Sequence, residues 1–266
     1  MESNFNFIYP VIFIFGLCFG SFLNVIVYRL PKNISITNPP SRCPSCNHRL
    51  GVVELLPVVG YFIIRGRCLN CNVRISPRYP VIELATGALF VAVFYKFGPT
   101  MEFLLYLVLL YLLFAITQID LVKRIVPNKL VSAGLIAGFI LYLPQIISYI
   151  APVTPLLVAE RPITDALAGF LLGGGVMLVI MIVSRGGMGA GDVKLMAMIG
   201  LFVGLRGTAL VMILGFFFGA LVGVAYIVLR RLTRKDALPF APYLSLAAVV
   251  EVLWGEQLWN LYINFY

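Results

Sequence analysis

Two pairs of cysteines, each spaced C-x-x-C, lie within one polar segment of the chain. Cys43 and Cys46 form the first pair, Cys68 and Cys71 form the second, and 21 residues separate the pairs. Four thiolates in this arrangement are typical of a structural zinc ion in a closed tetrahedral site. Such an ion would stabilise a segment that is too short for a robust hydrophobic core. A redox pair, two disulfides, or a site in which His48 replaces one thiolate are the alternatives.

Two of the eleven carboxylates lie where an apolar stretch meets polar sequence. Asp120 ends one apolar run in Gln-Ile-Asp-Leu, and Asp192 opens another in Gly-Met-Gly-Ala-Gly-Asp-Val-Lys. Two carboxylates brought close together do not both ionise easily, so the pair offers a general base and a general acid at once. Such a pair can activate a water molecule and protonate a leaving amine. Position alone equally allows each aspartate to form an ion pair with Lys123, Arg124 or Lys194.

The segment before Asp192 contains four glycines, Gly186, Gly187, Gly189 and Gly191. Glycine adopts backbone conformations that are closed to other residues, which would let Asp192 approach an extended peptide. We therefore expect Gly189, Gly191 and Lys194 to form the loop that supports the aspartate pair. No Ser/His/Asp set competes, because the only histidine lies beside the cysteines, and no phosphate-binding glycine loop is present.

The composition indicates that membrane-spanning helices must position these groups. The chain of 266 residues is 61% hydrophobic and 12% charged, with a mean hydropathy of +0.99. Soluble domains are about 45–50% apolar and about 25% charged, so the composition excludes a water-soluble single domain and a disordered chain. The sequence therefore predicts an all-α polytopic membrane protein.

Apolar runs near the length of a bilayer crossing predict about eight transmembrane helices. They lie at about 7–28, 81–97, 102–119, 130–149, 163–184, 193–205, 207–229 and 241–260. The sixth run is short, so we expect this helix to be tilted or to have a broken backbone packed against its neighbours.

The distribution of positive charge predicts the orientation of these helices. Of the 20 Lys and Arg residues, 17 fall on one side of the eight-helix arrangement. Lysine and arginine collect in cytoplasmic loops, which places that side in the cytoplasm and both termini outside. The predicted organisation is a first transmembrane helix at 1–29, a small zinc-stapled cytoplasmic segment at 30–80 and a membrane core of seven helices at 81–266.

An ordered set of motifs runs along nearly the whole chain. The motifs are Gly-Ser-Phe-Leu-Asn-Val at 20–25, Tyr-Arg-Leu-Pro at 28–31, Cys-Pro-Ser-Cys-Asn-His at 43–48, Ile-Ser-Pro-Arg-Tyr-Pro at 75–80, Ile-Asp at 119–120, Gly-Met-Gly-Ala-Gly-Asp-Val-Lys-Leu at 187–195 and Pro-Phe-Ala-Pro-Tyr at 239–243. With these motifs the sequence resembles the bacterial type IV prepilin peptidases, the bifunctional leader peptidase/N-methyltransferases of the GxGD aspartic protease group. It departs from their pattern at Asn128, where an aspartate is often found.

The resemblance implies a function and a site. Asp120 and Asp192 would be the catalytic aspartates of an endopeptidase in the bacterial inner membrane, with the cysteine segment facing the cytoplasm. Its substrates would be membrane-bound type IV prepilins and type II secretion pseudopilins, cut after a glycine at the cytoplasmic side, and nucleic acid would not be a partner. S-adenosylmethionine would then supply a methyl group for the new N-terminal residue. The spacing of residues does not indicate which of them bind this methyl donor.

Three other classes of protein share parts of this pattern. A transporter or channel would use its acids in an ion path near the bilayer midplane, whereas Asp120 and Asp192 are predicted at one edge. A scaffold protein would use the cysteine segment to dock a partner and would not need either aspartate. A presenilin-type intramembrane protease shares Gly-Ala-Gly-Asp but lacks the cysteine segment.

Overall fold

A computed structural model describes residues 7–148, 154, 158–185, 187–229 and 239–264. Gly186, one of the four glycines before Asp192, lies outside these described residues. So do the basic residues between 230 and 238, which contribute to the predicted charge distribution. The described part is helical apart from turns and two isolated β-bridges.

Nine α-helices follow one another along the described chain. They are α1 (Ile8–Arg29), α2 (Val52–Leu55), α3 (Val59–Ile63), α4 (Arg78–Phe97), α5 (Met101–Lys123), α6 (Asn128–Ser148), α7 (Ile163–Val183), α8 (Ala190–Val228) and α9 (Ala241–Asn264). A 3-10 turn, Leu30–Lys32, follows α1 directly. Six of these helices, α1 and α4 to α8, are long and apolar enough to cross a membrane. The prediction of an all-helical polytopic membrane protein is confirmed.

The predicted count of eight crossings is not confirmed. The runs predicted at 193–205 and 207–229 both lie within α8, which has 39 residues. The run predicted at 241–260 lies in α9, which is 24 residues long but is not among the six helices of sufficient apolarity. The division into three segments at residues 29 and 80 stays a prediction.

The chain forms two compact units, Met1–Gly98 and Pro99–Tyr266. In the first unit, α1 packs against α4 through small residues. A Cβ atom at Gly16 would lie 2.7 Å from the Cα of Gly87, and one at Gly20 would lie 2.6 Å from the Cα of Glu83. Such contacts leave no room for larger side chains, so these glycines permit the close helix packing that is common in membranes.

In the second unit, α8 folds back on itself at Gly204. This glycine has φ +71° and ψ −175°, a conformation that breaks the helix. A Cβ atom at Gly173 in α7 would lie 2.7 Å from the carbonyl oxygen of Met196 and 3.2 Å from the Cγ2 of Thr208. Met196 and Thr208 would be about 18 Å apart on a straight helix. Their shared neighbour therefore shows that α8 is a helical hairpin, with halves at 190–203 and 205–228.

Polar groups hold the turn of this hairpin. The backbone amide of Leu205 donates a hydrogen bond of 3.3 Å to Asp165 Oδ1, and the hydroxyl of Thr208 donates one of 2.6 Å to the carbonyl of Gly204. Arg161 Nη2 lies 3.7 Å from Glu251 Oε1, a buried carboxylate of α9. These bonds satisfy backbone and charged groups that would otherwise be costly to bury.

The contact between α7 and the first half of α8 predicts a large effect of a small substitution. A Cβ atom at Gly200 would overlap the carbonyl oxygen of Gly169. We expect Gly200→Ala to lower the free energy of unfolding by about 1–3 kcal/mol, because the backbones must separate. Thermal unfolding in detergent measures this change. Gly175→Ala is the matched control, since nothing lies within 4 Å of its Cβ position, and equal melting temperatures for the two variants would contradict the packing argument.

Candidate functional site

Asp120 lies in the last turn of α5. The helix ends at Lys123, where Arg124 takes a left-handed conformation with φ 54° and its amide donates to the carbonyl of Asp120. The carboxyl group of Asp120 is buried, with 4% of the residue exposed. It accepts a hydrogen bond from the backbone amide of Ala241, which begins α9. Its Oδ2 has no hydrogen-bond partner among the described residues, so this oxygen remains available for another ligand.

Asp192 lies in the first turn of α8, and its side chain reaches back to the residue that precedes the helix. Its carboxylate accepts a hydrogen bond from the amide of Gly189, and its own amide donates a 3.0 Å bond to the carbonyl of Gly189. Gly189 is the N-cap residue, with an extended backbone at φ −76° and ψ 141°. The first amides of a helix lack partners within the helix and favour a negative charge beside them, which fixes the carboxylate of Asp192 at this end.

The glycine before Asp192 brings the start of α8 towards the end of α5. A Cβ atom at Gly191 would lie 2.9 Å from the Cβ of Val126, in the loop between α5 and α6. A side chain at position 191 would push these two segments apart. The charge of Asp120 also acts on Asp192, which indicates that the two carboxyl groups lie near each other.

The described basic residues near the aspartates form no ion pair with them. Lys194 is exposed, and its Nζ donates a 3.2 Å hydrogen bond to Asn128 Oδ1 at the start of α6. Within the described residues, neither aspartate forms an ion pair with Lys123, Arg124 or Lys194. The alternative of simple interfacial ion pairs is therefore not what the structure contains.

Sequence reasoning missed the contribution of α9 to this site. The amide of Ala241 donates to Asp120 because it is one of the unpaired amides at the start of a helix. The motif Pro-Phe-Ala-Pro-Tyr at 239–243 was the available signal. A proline such as Pro242, near the start of a helix, marks where such amides become available.

The four cysteines of the polar segment form one cluster in the first unit. Their sulfur atoms all lie within 4.8 Å of one another, and none is in a disulfide. The Sγ atoms of Cys43 and Cys71 are 3.9 Å apart, and those of Cys46 and Cys68 are 3.8 Å apart. A tetrahedral site with metal–sulfur bonds of about 2.3 Å requires sulfurs about 3.8 Å apart. The donor set and its spacing therefore fit a tetrahedral metal ion.

The two cysteine pairs adopt the same backbone conformation. Each belongs to a sequence Arg-Cys-x-x-Cys-Asn-x-Arg, at 42–49 and at 67–74. Asn47 and Asn72 take left-handed conformations with φ 61° and φ 58°, and their amides donate to the carbonyls of Cys43 and Cys68. An isolated β-bridge between the flanking arginines closes each loop. Two equivalent loops that each present two thiols are what a tetrahedral site requires.

Two thiols of the cluster differ strongly in pKa. The amide of His48 lowers the pKa of Cys46 to about 6. The amide of Val73 lowers the pKa of Cys71, but desolvation and the neighbouring sulfurs outweigh it and raise this pKa to about 12. A metal ion would allow all four sulfurs to be thiolates. His48 lies instead against Glu54, with 3.4 Å between Nε2 and Oε2, so the cluster consists of cysteines alone.

Comparison with known proteins places both sites within one family. Residues 14–97 match the sequence model of the bacterial peptidase A24 N-terminal domain, and residues 107–224 match that of the type IV leader peptidase family. The chain belongs to the type IV leader peptidase family. The first match contains the cysteine cluster and the second contains both aspartates. The family resemblance predicted from the motifs is confirmed.

Several relatives of this type IV leader peptidase family member are similar along most of their length. The prepilin leader peptidase/N-methyltransferase of Pseudomonas putida is 34% identical, over 92% of this chain and 90% of the relative. The protein of the same name from Bacillus subtilis is 33% identical, over 96% of this chain and 97% of the relative. No solved structure matches the chain.

Proposed function

We propose that this protein removes the leader peptide of type IV prepilins and type II secretion pseudopilins and then methylates the new N-terminal residue. The names of its relatives support both activities. The observation that carries the peptidase assignment is the contact of Gly191, beside Asp192, with the loop that follows Asp120, together with the charge interaction of the two aspartates. In this proposal the loop that supports the aspartate pair contains Gly189, Gly191 and Lys194.

The two aspartates would hydrolyse the Gly–X peptide bond as an acid–base pair. The ionised aspartate takes a proton from water as the water oxygen attacks the carbonyl carbon, and the protonated aspartate donates its proton towards the departing amine. The amides of Ala241 and Gly189 orient the two carboxyl groups. In this proposal the two carboxyl groups hold one proton between them.

The location of the pair suits a substrate that is itself a membrane helix. Asp120 and Asp192 occupy the end of α5 and the start of α8, and both helices are candidate membrane spans. A pilin precursor whose apolar helix remains in the bilayer would expose its cleavage site at this level. A pair near the midplane, as a transporter requires, would not meet such a site.

We also propose that the chain crosses the bacterial inner membrane eight times, as predicted. Both termini would lie outside, and both sites would face the cytoplasm. The hairpin at Gly204 supports the division of α8 into two crossings. Its first half, 190–203, covers only about 20 Å of a hydrocarbon core of about 30 Å. Residues 195–204 are buried throughout, so this short helix would lie among other helices rather than against lipid.

The cysteine cluster would hold a structural zinc ion through Cys43, Cys46, Cys68 and Cys71. Four thiolates leave no open position for a substrate, so the ion would stabilise the segment and take no part in hydrolysis.

The methyl donor of the second activity would be S-adenosylmethionine. A cavity of about 410 Å³ at the end of α9 is lined by Gln257, Asn260, Leu261 and Asn264. It offers no carboxylate to the cationic sulfonium group and does not fit this donor.

An assay with purified protein in detergent tests both activities together. A prepilin with its leader is incubated with the protein, with and without S-adenosylmethionine, and the product masses are measured. We expect loss of the leader in both reactions and one added methyl group only where the donor is present. An intact prepilin in both reactions, with helical content and metal retained, would contradict the proposal.

A further inference from the structure

The polar cysteine segment carries a large exposed apolar surface. Seven apolar side chains on and between α2 and α3 are 44–80% exposed, namely Val52, Val53, Leu55, Leu56, Val59, Phe62 and Ile63. We call this set the apolar surface. Segments in water rarely expose so many large apolar side chains together, and those that do usually contact a partner or a membrane.

The two short helices that carry the apolar surface pack directly on each other. A Cβ atom at Gly60 in α3 would overlap the carbonyl oxygen of Val53 in α2. The amide of Gly60 also donates a 2.9 Å hydrogen bond to the carbonyl of Leu56. The backbones of α2 and α3 are therefore in contact, so the helices that carry these side chains form one small unit.

A hydrogen bond ties this helix pair to α4, a candidate membrane span. The amide of Val58, between α2 and α3, donates a 2.7 Å hydrogen bond to Glu83 Oε2. Glu83 is buried in α4, a candidate membrane span that begins at Arg78. Five residues of helix correspond to about 7.5 Å along the axis. Interfacial helices bury their apolar faces about 5–10 Å into the boundary between headgroups and acyl chains, so the level of Glu83 along α4 is one that such a helix pair would occupy.

Both ends of the segment leave the membrane at the same surface. The helices α1 and α4 are candidate spans that pack on each other. The side-chain amide of Asn24, near the end of α1, donates a 3.2 Å hydrogen bond to the carbonyl of Tyr79, near the start of α4. The segment between them is therefore tethered twice to one face of the bilayer.

The charges around the apolar surface suit anionic lipid headgroups. Five exposed arginines lie between α1 and α4, namely Arg42, Arg49, Arg65, Arg67 and Arg74. The single acid of this segment, Glu54, has only 3% of its side chain exposed and accepts a bond from the amide of Gly51. Clusters of basic residues beside a membrane helix are attracted to anionic lipids.

We propose that the apolar surface of α2 and α3 is inserted into the interface of the bilayer that α1 and α4 cross, with the exposed arginines binding anionic phospholipid headgroups. The cysteine segment is then a membrane-embedded platform and not a domain free in water. This inference goes beyond the proposed function, because neither cleavage nor methylation requires it.

Photo-crosslinking in vesicles tests the insertion independently of catalysis. The protein carries benzoylphenylalanine in place of Phe62 or, as the control, in place of Ser45, which is exposed between Cys43 and Cys46. It is reconstituted in vesicles of phosphatidylethanolamine and phosphatidylglycerol, irradiated, and analysed for adducts by mass spectrometry. We expect position 62 to form about tenfold more lipid adducts than position 45.

A charge variant provides the second readout. With the photo-crosslinker at position 59, Phe62→Asp should reduce lipid adducts severalfold, whereas Ser45→Asp should leave them unchanged, with metal content retained in both. Vesicles of phosphatidylcholine alone should give fewer adducts at position 62 than the anionic vesicles. Equal yields of lipid adducts at positions 62 and 45 would overturn the proposal. So would a crosslinker at position 62 that reacts only with protein, whether this chain, a second copy or an added prepilin.

Discussion

Asp120→Asn and Asp192→Asn will each reduce leader cleavage by about a thousandfold or more, while prepilin binding is retained. General acid–base catalysis contributes typically about 10²–10⁴-fold. Asparagine keeps the shape of the side chain and can still accept the hydrogen bonds from the amides of Ala241 and Gly189. It cannot exchange a proton at the pH of the assay. The measurement is single-turnover cleavage of a prepilin in detergent, with binding measured separately.

The double variant distinguishes a pair that acts together from two independent groups. Residues that act as a unit show strongly non-additive losses of rate. The cleavage rate of Asp120→Asn/Asp192→Asn should therefore lie within a small factor of the rate of the slower single variant. Glu256→Gln removes an exposed carboxylate of α9 and should cleave at the wild-type rate. Full cleavage by either aspartate variant would eliminate the acid–base mechanism.

The local part of the candidate site was predictable from sequence. Gly189 and Asp192 form a helix start, and the stop of an apolar run at Asp120 marks a helix end. The helix start and the helix end each depend only on residues close by in the sequence. The short motifs around Asp120 and Asp192 are therefore enough to predict them. The cysteine cluster was predictable for the same reason, since each loop closes within eight residues.

The parts that depend on contacts distant in sequence were not predictable. The runs at 193–205 and 207–229 did suggest a break near Gly204, but the sharp return of the chain depends on Gly169 and Gly173 in α7. The bond from Ala241 to Asp120 joins residues 121 positions apart. Apolar periodicity and charge counts describe each helix separately and contain no information on which helices meet.

On the proposed zinc site, removal of one cysteine sulfur will abolish metal binding and unfold the cysteine segment. Cys68 is 2% exposed, and Cys68→Ser leaves three thiolates around a tetrahedral ion. Binding of a structural zinc ion is worth about 10–16 kcal/mol in small peptides, and that free energy serves as folding free energy. Metal content by native mass spectrometry should fall from about one ion per chain to near zero. Hydrogen exchange of the amides of Asn47 and Asn72, which bond within the loops, should accelerate towards the unfolded rate.

Cys18→Ser is the matched control for this prediction. Cys18 is exposed on α1 in the same compact unit and is not part of the cluster, so metal content and exchange should not change. In Cys68→Ser, amides of α7 and α8 should keep their protection, because these helices belong to the other compact unit. A Cys68→Ser protein that keeps both its metal and the slow exchange of the loops would show that the four sulfurs do not hold the segment together.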